Sequence, residues 1–430
     1  MTQSLTLTAS GGLRGEITVP GDKSISHRSI MLGSLAEGTT RVHGFLEGED
    51  NLSTLKAFQA MGVDIIRHAG GMLEIQGRGL HGLREPGDVL DCGNSGTTMR
   101  LMTGLLAAQR FFTVLTGDQY LRRRPMKRVV EPLSLMGARI WGRDGGERAP
   151  LAINGSALQG IEYRSAIASA QVKSALLLAG LYAQGETSVY EPHLSRDHSE
   201  RMLAFFGADL RTRDGGVTLS PQPRLEGREV QVPGDISSAA FFLVAALIVP
   251  GSELLVRNVG INPTRSGVID ILQQMGGDLR LLDERNLSGE PVADILVRGS
   301  SLRGIVIGGD LVTRAIDEFP VISVAAALAE GTTLIRDAQE LRVKETDRIA
   351  AMVKELCVLG ARVEGLEDGM RIEGVADLQG GRVGSHGDHR IAMSMAVAAL
   401  RARAPVTIED IGCTATSFPN FWQLLEQVRK

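Results

Sequence analysis

The chain has 430 residues, 43% of them hydrophobic and 22% charged, with a formal net charge of −4. That length exceeds what one hydrophobic core usually supports and calls for two domains; the balance of charge excludes a global basic field for nucleic acid. Aromatic residues at 4% argue against stacking platforms for single strands, and three cysteines without metal spacing exclude a disulfide framework and suit a reducing cytoplasm.

The first residues, "MTQSLTLTASGG", hold neither a basic nor an apolar stretch, so a signal peptide is not expected. From Val19 the chain reads "VPGDKSISHRS". Lys23, His27 and Arg28 fall in the first turns of a predicted helix, where the dipole is already positive and Asp, Ser or Glu are preferred. Further on, one phrase recurs: "LKAFQAMGVDI", "VEPLSLMGARI", "RMLAFFGADL", "IDILQQMGGDL" and "MVKELCVLGARV". Its glycines, Gly62, Gly137, Gly207, Gly276 and Gly360, read as helix C-caps, and "MLEIQG", "VTLSPQ" and "MRIEGV" alternate as strands do.

A second phrase accompanies the first. It is a small-residue apolar helix: "NSGTTMRLMTGLLAA", "SAQVKSALLLAGLYA", "DISSAAFFLVAALIV", "DEFPVISVAAALAE" and "DHRIAMSMAVAALRA", with "KSISHRSIMLGSLAE" as a sixth copy. The longest apolar run within them, "AAFFLVAALIV", falls far short of the ~18 residues of a membrane span. "ITVPGDKSIS" and "VQVPGDISS" resemble each other closely enough to suggest duplication.

The spacing predicts six units of about seventy residues, three in each of two domains. The expected class is α/β (α+β), with repeated βαβαββ-type units, apolar helices buried and half-exposed sheets outside, an inside-out α/β barrel. Residues 23–235 form one domain. Residues 236–430 form the other, with residues 1–22 supplying the strands that its last unit lacks. A doubly wound sheet is the competing reading, but it wants continuous Val/Ile strands, and few are present.

Equivalent helix starts carry polar residues: Lys23, Ser24 and Arg28; Asn94, Gly96, Thr97 and Arg100; Ser165, Ser169 and Gln171; Asp235 and Ser237; Asp317 and Glu318; Asp388, His389 and Arg390. In a repeat these ends point the same way, so free N–H groups are expected to face one cleft. Lys23, Arg28, Arg100, Arg122, Arg123, Arg124, Lys344, Arg348 and Arg390 then suit a multiply anionic ligand. The alternative is a set of solvated surface charges. Other motifs do not hold. No Walker loop is present, "GRGLHG" is followed by "LREPGD" rather than a helix, and "HGDH" at 386–389 has no further ligand near it in sequence. Cys92 reads as a buried cysteine closing a strand rather than as a nucleophile.

Together "PGDKSISHR", "GNSGTTMR", "RRRPM", "ASAQVKSALLLAGL", "SRDHSERM", "IDEFP", "ELRVKETDRI", "GDHRIAM" and "TSFPNF" resemble the 5-enolpyruvylshikimate-3-phosphate synthases over residues 19–421. The resemblance implies two three-fold domains joined by two crossovers and closing over a cleft. It implies a cytoplasmic, monomeric enzyme with two small-molecule partners, shikimate 3-phosphate and phosphoenolpyruvate, no nucleic acid or membrane partner, and glyphosate as an inhibitor. The enolpyruvyl group passes to the 5-hydroxyl and phosphate leaves.

By the same resemblance, Lys23, Ser24, Arg28, Ser169, Ala170, Gln171, Ser195, Arg196, Asp317 and Lys344 contact shikimate 3-phosphate. Lys23, Asn94, Gly96, Arg124, Gln171, Arg348, His389 and Arg390 contact phosphoenolpyruvate. Thr416 stands where many members have Lys, and Glu340 where many have Asn. Arg196, in "SRDH", is the expected replacement for the missing cation.

Addition followed by elimination needs a base near the hydroxyl and an acid near C3. Asp317 and Glu345 are the expected carboxylates, with Lys23 as the catalytic cation. No metal or organic cofactor is required. The nearest rival is a UDP-N-acetylglucosamine enolpyruvyl transferase, which has Lys-Asn where this chain has Lys23-Ser24. A non-catalytic anion binder is a rival of another class, disfavoured by carboxylates set among the cations.

Overall fold

Five helices end at the glycines that mark the repeat. Gly62, Gly137, Gly207, Gly276 and Gly360 all have positive φ, between 79° and 106°, a conformation that costs glycine nothing and lets the chain turn out of the helix into a strand. The structure, a computed structural model, describes residues 3–9, 11–213 and 215–429. Met1 and Lys430, the outer limits expected for the carboxy-terminal-side domain, lie outside the described residues.

The chain divides into two units. The amino-terminal unit comprises Gly21–Val232 and Leu287–Glu290; the carboxy-terminal unit comprises Met1–Pro20, Pro233–Asn286 and Pro291–Lys430. The chain thus changes unit at 20/21 and 232/233, inside the two "VPGD" copies, where sequence alone put the change at 22/23 and 235/236. Leu287–Glu290 is an excursion without any signal in the sequence.

Each unit has its own apolar core. In the amino-terminal unit the inner helices are Lys23–Leu35, Gly96–Leu106 and Ala170–Gly180. Small residues let them approach closely: a Cβ on Gly104 would lie 2.1 Å from the Ala175 carbonyl oxygen. In the other unit they are Ile236–Ile248, Phe319–Ala327 and His389–Ala399, and every residue of all three is buried. Helices apolar on all sides can exist in water only when they are enclosed in this way.

Small sheets do the enclosing. Among the described residues five have four strands and one has three. The first of the amino-terminal unit runs Glu229–Gln231, Thr39–His43, Met72–Gln76, Asp64–His68, with one parallel and two antiparallel pairings. Two further sheets of this unit repeat the pattern. The strand burial alternates, as in Met72–Gln76, so one face meets the helices and the other meets water.

The carboxy-terminal unit borrows strands from the start of the chain. Arg14–Thr18 leads its first sheet, parallel to Glu253–Gly260, and Leu5–Leu7 pairs antiparallel with Val406–Glu409 to complete its last one. Among the described residues the sheets are six separate layers, so the helices are sheathed without a closed barrel.

Candidate active site

Helix caps explain how cations come to stand at helix starts. Asp22 accepts from the Ile25 N–H at 2.9 Å, Ser95 from Thr98 at 3.1 Å, Ser169 from Val172 at 3.5 Å, Asp235 from Ser237 at 2.7 Å and Asp388 from Arg390 at 2.8 Å. Each cap satisfies one free N–H and adds an oxygen or a negative charge where the dipole is positive. Lys23, the residue after its cap, also lies 2.5 Å from Asp50.

In the amino-terminal unit two clusters form. The first joins Asn94, Gly96, Arg100, Arg124 and Gln171. Asn94 accepts from Arg124 Nη2 at 2.6 Å and donates to Asp118 at 2.6 Å. Arg100 reaches Gln171 Oε1 at 2.5 Å and the Pro125 carbonyl at 3.0 Å, and Gln171 donates to Thr97 at 3.1 Å. A Cβ on Gly96 would lie 3.1 Å from Arg100 Nη1 and 3.2 Å from Arg124 Nη1, so the glycine leaves the space that lets both guanidiniums gather over a helix start.

The second cluster surrounds Arg28, which is 5% exposed. Its Nε donates to Ser199 Oγ at 2.7 Å, Nη2 to Ser174 Oγ at 2.8 Å and Nη1 to the Ser24 carbonyl at 3.0 Å. All three acceptors are neutral. Burial pulls the guanidinium down to about 10, against the more distant carboxylates of Glu200, Asp22 and Glu290. A buried cation satisfied by hydroxyls rather than by an ion pair is suited to an anionic ligand.

Ser169 and Ser195 are brought together by Glu191, a residue sequence reasoning missed. It accepts from the Ser169 N–H at 2.8 Å and from Ser195 Oγ at 2.7 Å. Lys173 was missed as well; it pairs with Glu191 at 2.9 Å and Glu200 at 2.8 Å. Its one signal is a lysine inside the apolar "VKSALLLAGL". Arg196 is half-buried on the same loop.

In the carboxy-terminal unit, Arg348 is a hub. It is 1% exposed. Nε meets Asp388 at 2.8 Å, Nη1 meets Asp317 at 3.3 Å and Nη2 meets Glu345 at 2.7 Å. Burial alone would lower its pKa, but Asp388, Glu345 and Asp317 raise it instead. Lys344 lies 3.4 Å from Asp317, and Arg390 donates to the Asp317 carbonyl at 2.9 Å and stands 3.6 Å from Glu318. Lys344, Arg348 and Arg390 therefore face four carboxylates, Asp317, Glu318, Glu345 and Asp388. This cluster is not a bare anion site, and an anion reaching Arg348 displaces a carboxylate.

His389 is buried beside Asp388, and His386 bonds Glu355 at 2.7 Å. Among the described residues no group of three or more His, Cys, Asp or Glu could hold a metal ion. Cys92 is fully buried, and burial, then Asp91 and Asp50, push its thiol far up, which removes the thiolate a nucleophile needs. Thr416 ends the short helical turn Ile411–Thr416. No helix among the described residues is long and apolar enough to cross a membrane.

His27 gives a pH-dependent stability. It is completely buried, with Nδ1 2.8 Å from Thr54 Oγ1. Burial, then Lys23 and Arg28, hold its pKa well below the usual imidazole range. The unfolded chain therefore binds one more proton between that depressed value and about 6.5. Stability rises with pH across this window and is lost on acidification, by up to about 1.4 kcal/mol per pH unit from this group. The expected result is that His27→Gln flattens the dependence of unfolding free energy on pH between 5 and 6.5. Parallel curves for the two proteins would refute it.

Comparison with known proteins gives one consistent result. The sequence model of the family described as EPSP synthase (3-phosphoshikimate 1-carboxyvinyltransferase) matches residues 7–425. A 3-phosphoshikimate 1-carboxyvinyltransferase of Syntrophotalea carbinolica is 68% identical over 430 residues, 100% of each chain. An EPSP synthase of Acinetobacter baumannii superposes with a TM-score of 0.90 at 50% identity, covering 100% of this chain and 98% of that one. The enolpyruvyl transferase NikO of Streptomyces tendae shares the fold at a TM-score of 0.80 and 16% identity, covering 100% and 98%.

Proposed function

The chain belongs to the EPSP synthase family, and we propose that it moves the enolpyruvyl group of phosphoenolpyruvate to the 5-hydroxyl of shikimate 3-phosphate through the residues described above. The observation that carries this is Arg28, a buried guanidinium on neutral partners, one of which, Ser174, lies in the helix that Ser169 caps and another, Ser199, four residues after Ser195. Lys23, Ser24, Arg28, Ser169, Ala170, Gln171, Ser195, Arg196, Asp317 and Lys344 bind shikimate 3-phosphate in this reading. Lys23, Asn94, Gly96, Arg124, Gln171, Arg348, His389 and Arg390 bind phosphoenolpyruvate.

Charge supports a division of labour. The Arg28 guanidinium on neutral acceptors and the guanidiniums of Arg100 and Arg124 gathered at Gly96 suit phosphate and carboxylate. The carboxylates crowded on Arg348 suit proton transfer. Asp317 or Glu345 takes the hydroxyl proton as oxygen attacks C2, while the other, protonated, gives a proton to C3; as phosphate leaves, C3 returns its proton and the departing phosphate carries off the one taken from the hydroxyl. Lys23 meets the charge developing on the departing phosphate. The proposal extends to a cytoplasmic monomer. Three unpaired cysteines suit a reducing compartment, and sedimentation equilibrium tests the monomer.

The direct test is phosphate release from phosphoenolpyruvate. Release with shikimate 3-phosphate and none with UDP-N-acetylglucosamine is the expected outcome. The reverse would move the chain to the sister activity.

Gly96 gives a second test. A methyl group there presses on the tips of Arg100 and Arg124, flexible groups that move by a few tenths of an ångström. Glyphosate is longer than phosphoenolpyruvate, so it needs more of that space. In Gly96→Ala the inhibition constant for glyphosate rises about tenfold or more, on the scale of an overpacked site, while KM for phosphoenolpyruvate rises only a few-fold. Equal rises in the two constants would show the steric argument to be wrong.

A further inference from the structure

We propose that Glu191, held in place by the buried Lys173, is a positioning residue for shikimate 3-phosphate: it fixes Ser169 and Ser195 where the ligand meets them. The inference rests on the assignment of those two serines to shikimate 3-phosphate made above. Neither Glu191 nor Lys173 is among the residues that assignment names.

The geometry is a stitch between two segments. Ser169 caps the helix Ala170–Gly180, and its N–H donates to Glu191 Oε1 at 2.8 Å. Ser195 lies on the loop that follows Glu191. Its Oγ is 2.8 Å and 2.7 Å from the two carboxylate oxygens, and its N–H reaches Oε2 at 3.4 Å. One carboxylate therefore fixes a helix start and a loop at once.

Lys173 makes that carboxylate tenable away from water. Its side chain and that of Glu191 are each only 3% exposed. The ammonium group binds Glu191, Glu200 and, at 3.3 Å, the Ser195 carbonyl. It stands one turn into the helix that Ser169 caps. Burial would lower its pKa, but Glu200 and Glu191 raise it, so it stays charged at any neutral pH.

While the Ser195 proton points to Glu191, the lone pairs of the hydroxyl face away. An arriving phosphate dianion has no use for lone pairs and needs donors. The proton turns from Glu191 to the phosphate oxygen, and Lys173 and the Ser169 N–H keep Glu191 satisfied meanwhile. The carboxylate thus holds the hydroxyl in place without keeping its proton.

A double-mutant cycle tests this. The dissociation constant for shikimate 3-phosphate is measured calorimetrically on the full chain for the parent, Glu191→Gln, Ser195→Ala and the double variant. Glu191→Gln weakens binding about tenfold, the loss expected for one hydrogen bond to a charged group. In the Ser195→Ala background the same change costs less than about threefold, because contacting residues couple. KM for phosphoenolpyruvate and kcat at saturation move less than the shikimate 3-phosphate constant. Glu191→Asp keeps the charge beside Lys173 but withdraws it from Ser195; it repeats the loss and serves if the glutamine variant does not fold. An equal factor in both backgrounds, or no loss in Glu191→Gln and Glu191→Asp, overturns the proposal while leaving the site assignment intact. Unchanged binding in Ser195→Ala overturns both.

Discussion

Replacing Lys23 by alanine lowers kcat/KM by about 30-fold to a few thousand-fold while the protein remains folded. The range follows from removing one partner of a close charge pair at a binding site, about 2–5 kcal/mol. Two losses combine. The ammonium no longer meets the anionic substrates, and Asp50, 6% exposed and 2.5 Å away, is left as an uncompensated negative charge beside the site. The fold tolerates this because the Lys23 side chain is part-exposed at 19%, and Asp22 still caps the helix. Arg124→Ala follows the same direction. Its guanidinium donates to Asn94 Oδ1 at 2.6 Å, and its removal leaves that amide oxygen without the bond. Lys23→Arg does not rescue, since a planar fork cannot replace a compact ammonium at 2.5 Å from its partner. Initial rates at varied phosphoenolpyruvate, with unfolding midpoints measured in parallel, check the expectation. Activity within threefold of the parent in the alanine variant would remove Lys23 from the site.

The repeat was the most legible part of the chain, for a physical reason. A glycine at positive φ after a helix and an inner helix of small apolar residues are both local requirements, and each appears in sequence at every copy. The duplicated "VPGD" likewise marks where the chain passes between units, to within three residues. What was not legible is pairing over distance. Lys173 and Glu200 are 27 positions apart, and Arg348 and Asp388 are 40 apart. Neither partner advertises the other. A lysine in an apolar helix reads as a charge that snorkels to water; here it stays inside because two glutamates come to it. The same blindness affects net charge. A count of cations at helix starts overstates the field, because Asp317, Glu318, Glu345 and Asp388 gather on those cations in the carboxy-terminal unit. The helix packing and the outer sheets were both readable, the first from helices apolar all round and the second from strands that alternate, and six sheets stand among the described residues as six units require.

Those gathered carboxylates carry the second large effect. Asp317→Asn lowers kcat by a factor of about 10² to 10⁴, the usual contribution of a positioned general base, with KM for either substrate changed only a few-fold. Asp317 stands just before the inner helix Phe319–Ala327. One carboxylate oxygen is held 3.4 Å from Lys344 and 3.3 Å from Arg348, and the backbone carbonyl is held by Arg390 at 2.9 Å. The side chain is thus held by two cations and the backbone by a third. Asparagine keeps its shape and can still accept from both cations, but it cannot take a proton. Arg348 keeps Asp388 and Glu345 after the change, so the hub survives and substrate affinity is largely preserved. Glu345 meets Arg348 at 2.7 Å and is more exposed, 26% against 14% for Asp317. Water competes there, and Glu345→Gln costs less in kcat than Asp317→Asn. Single-turnover rates in rapid quench, compared for the two variants at saturating substrates, separate chemistry from product release. A loss confined to Glu345→Gln would transfer the base to that residue. A loss in KM rather than kcat for Asp317→Asn would leave Asp317 a shikimate 3-phosphate contact only and give the proton to another group.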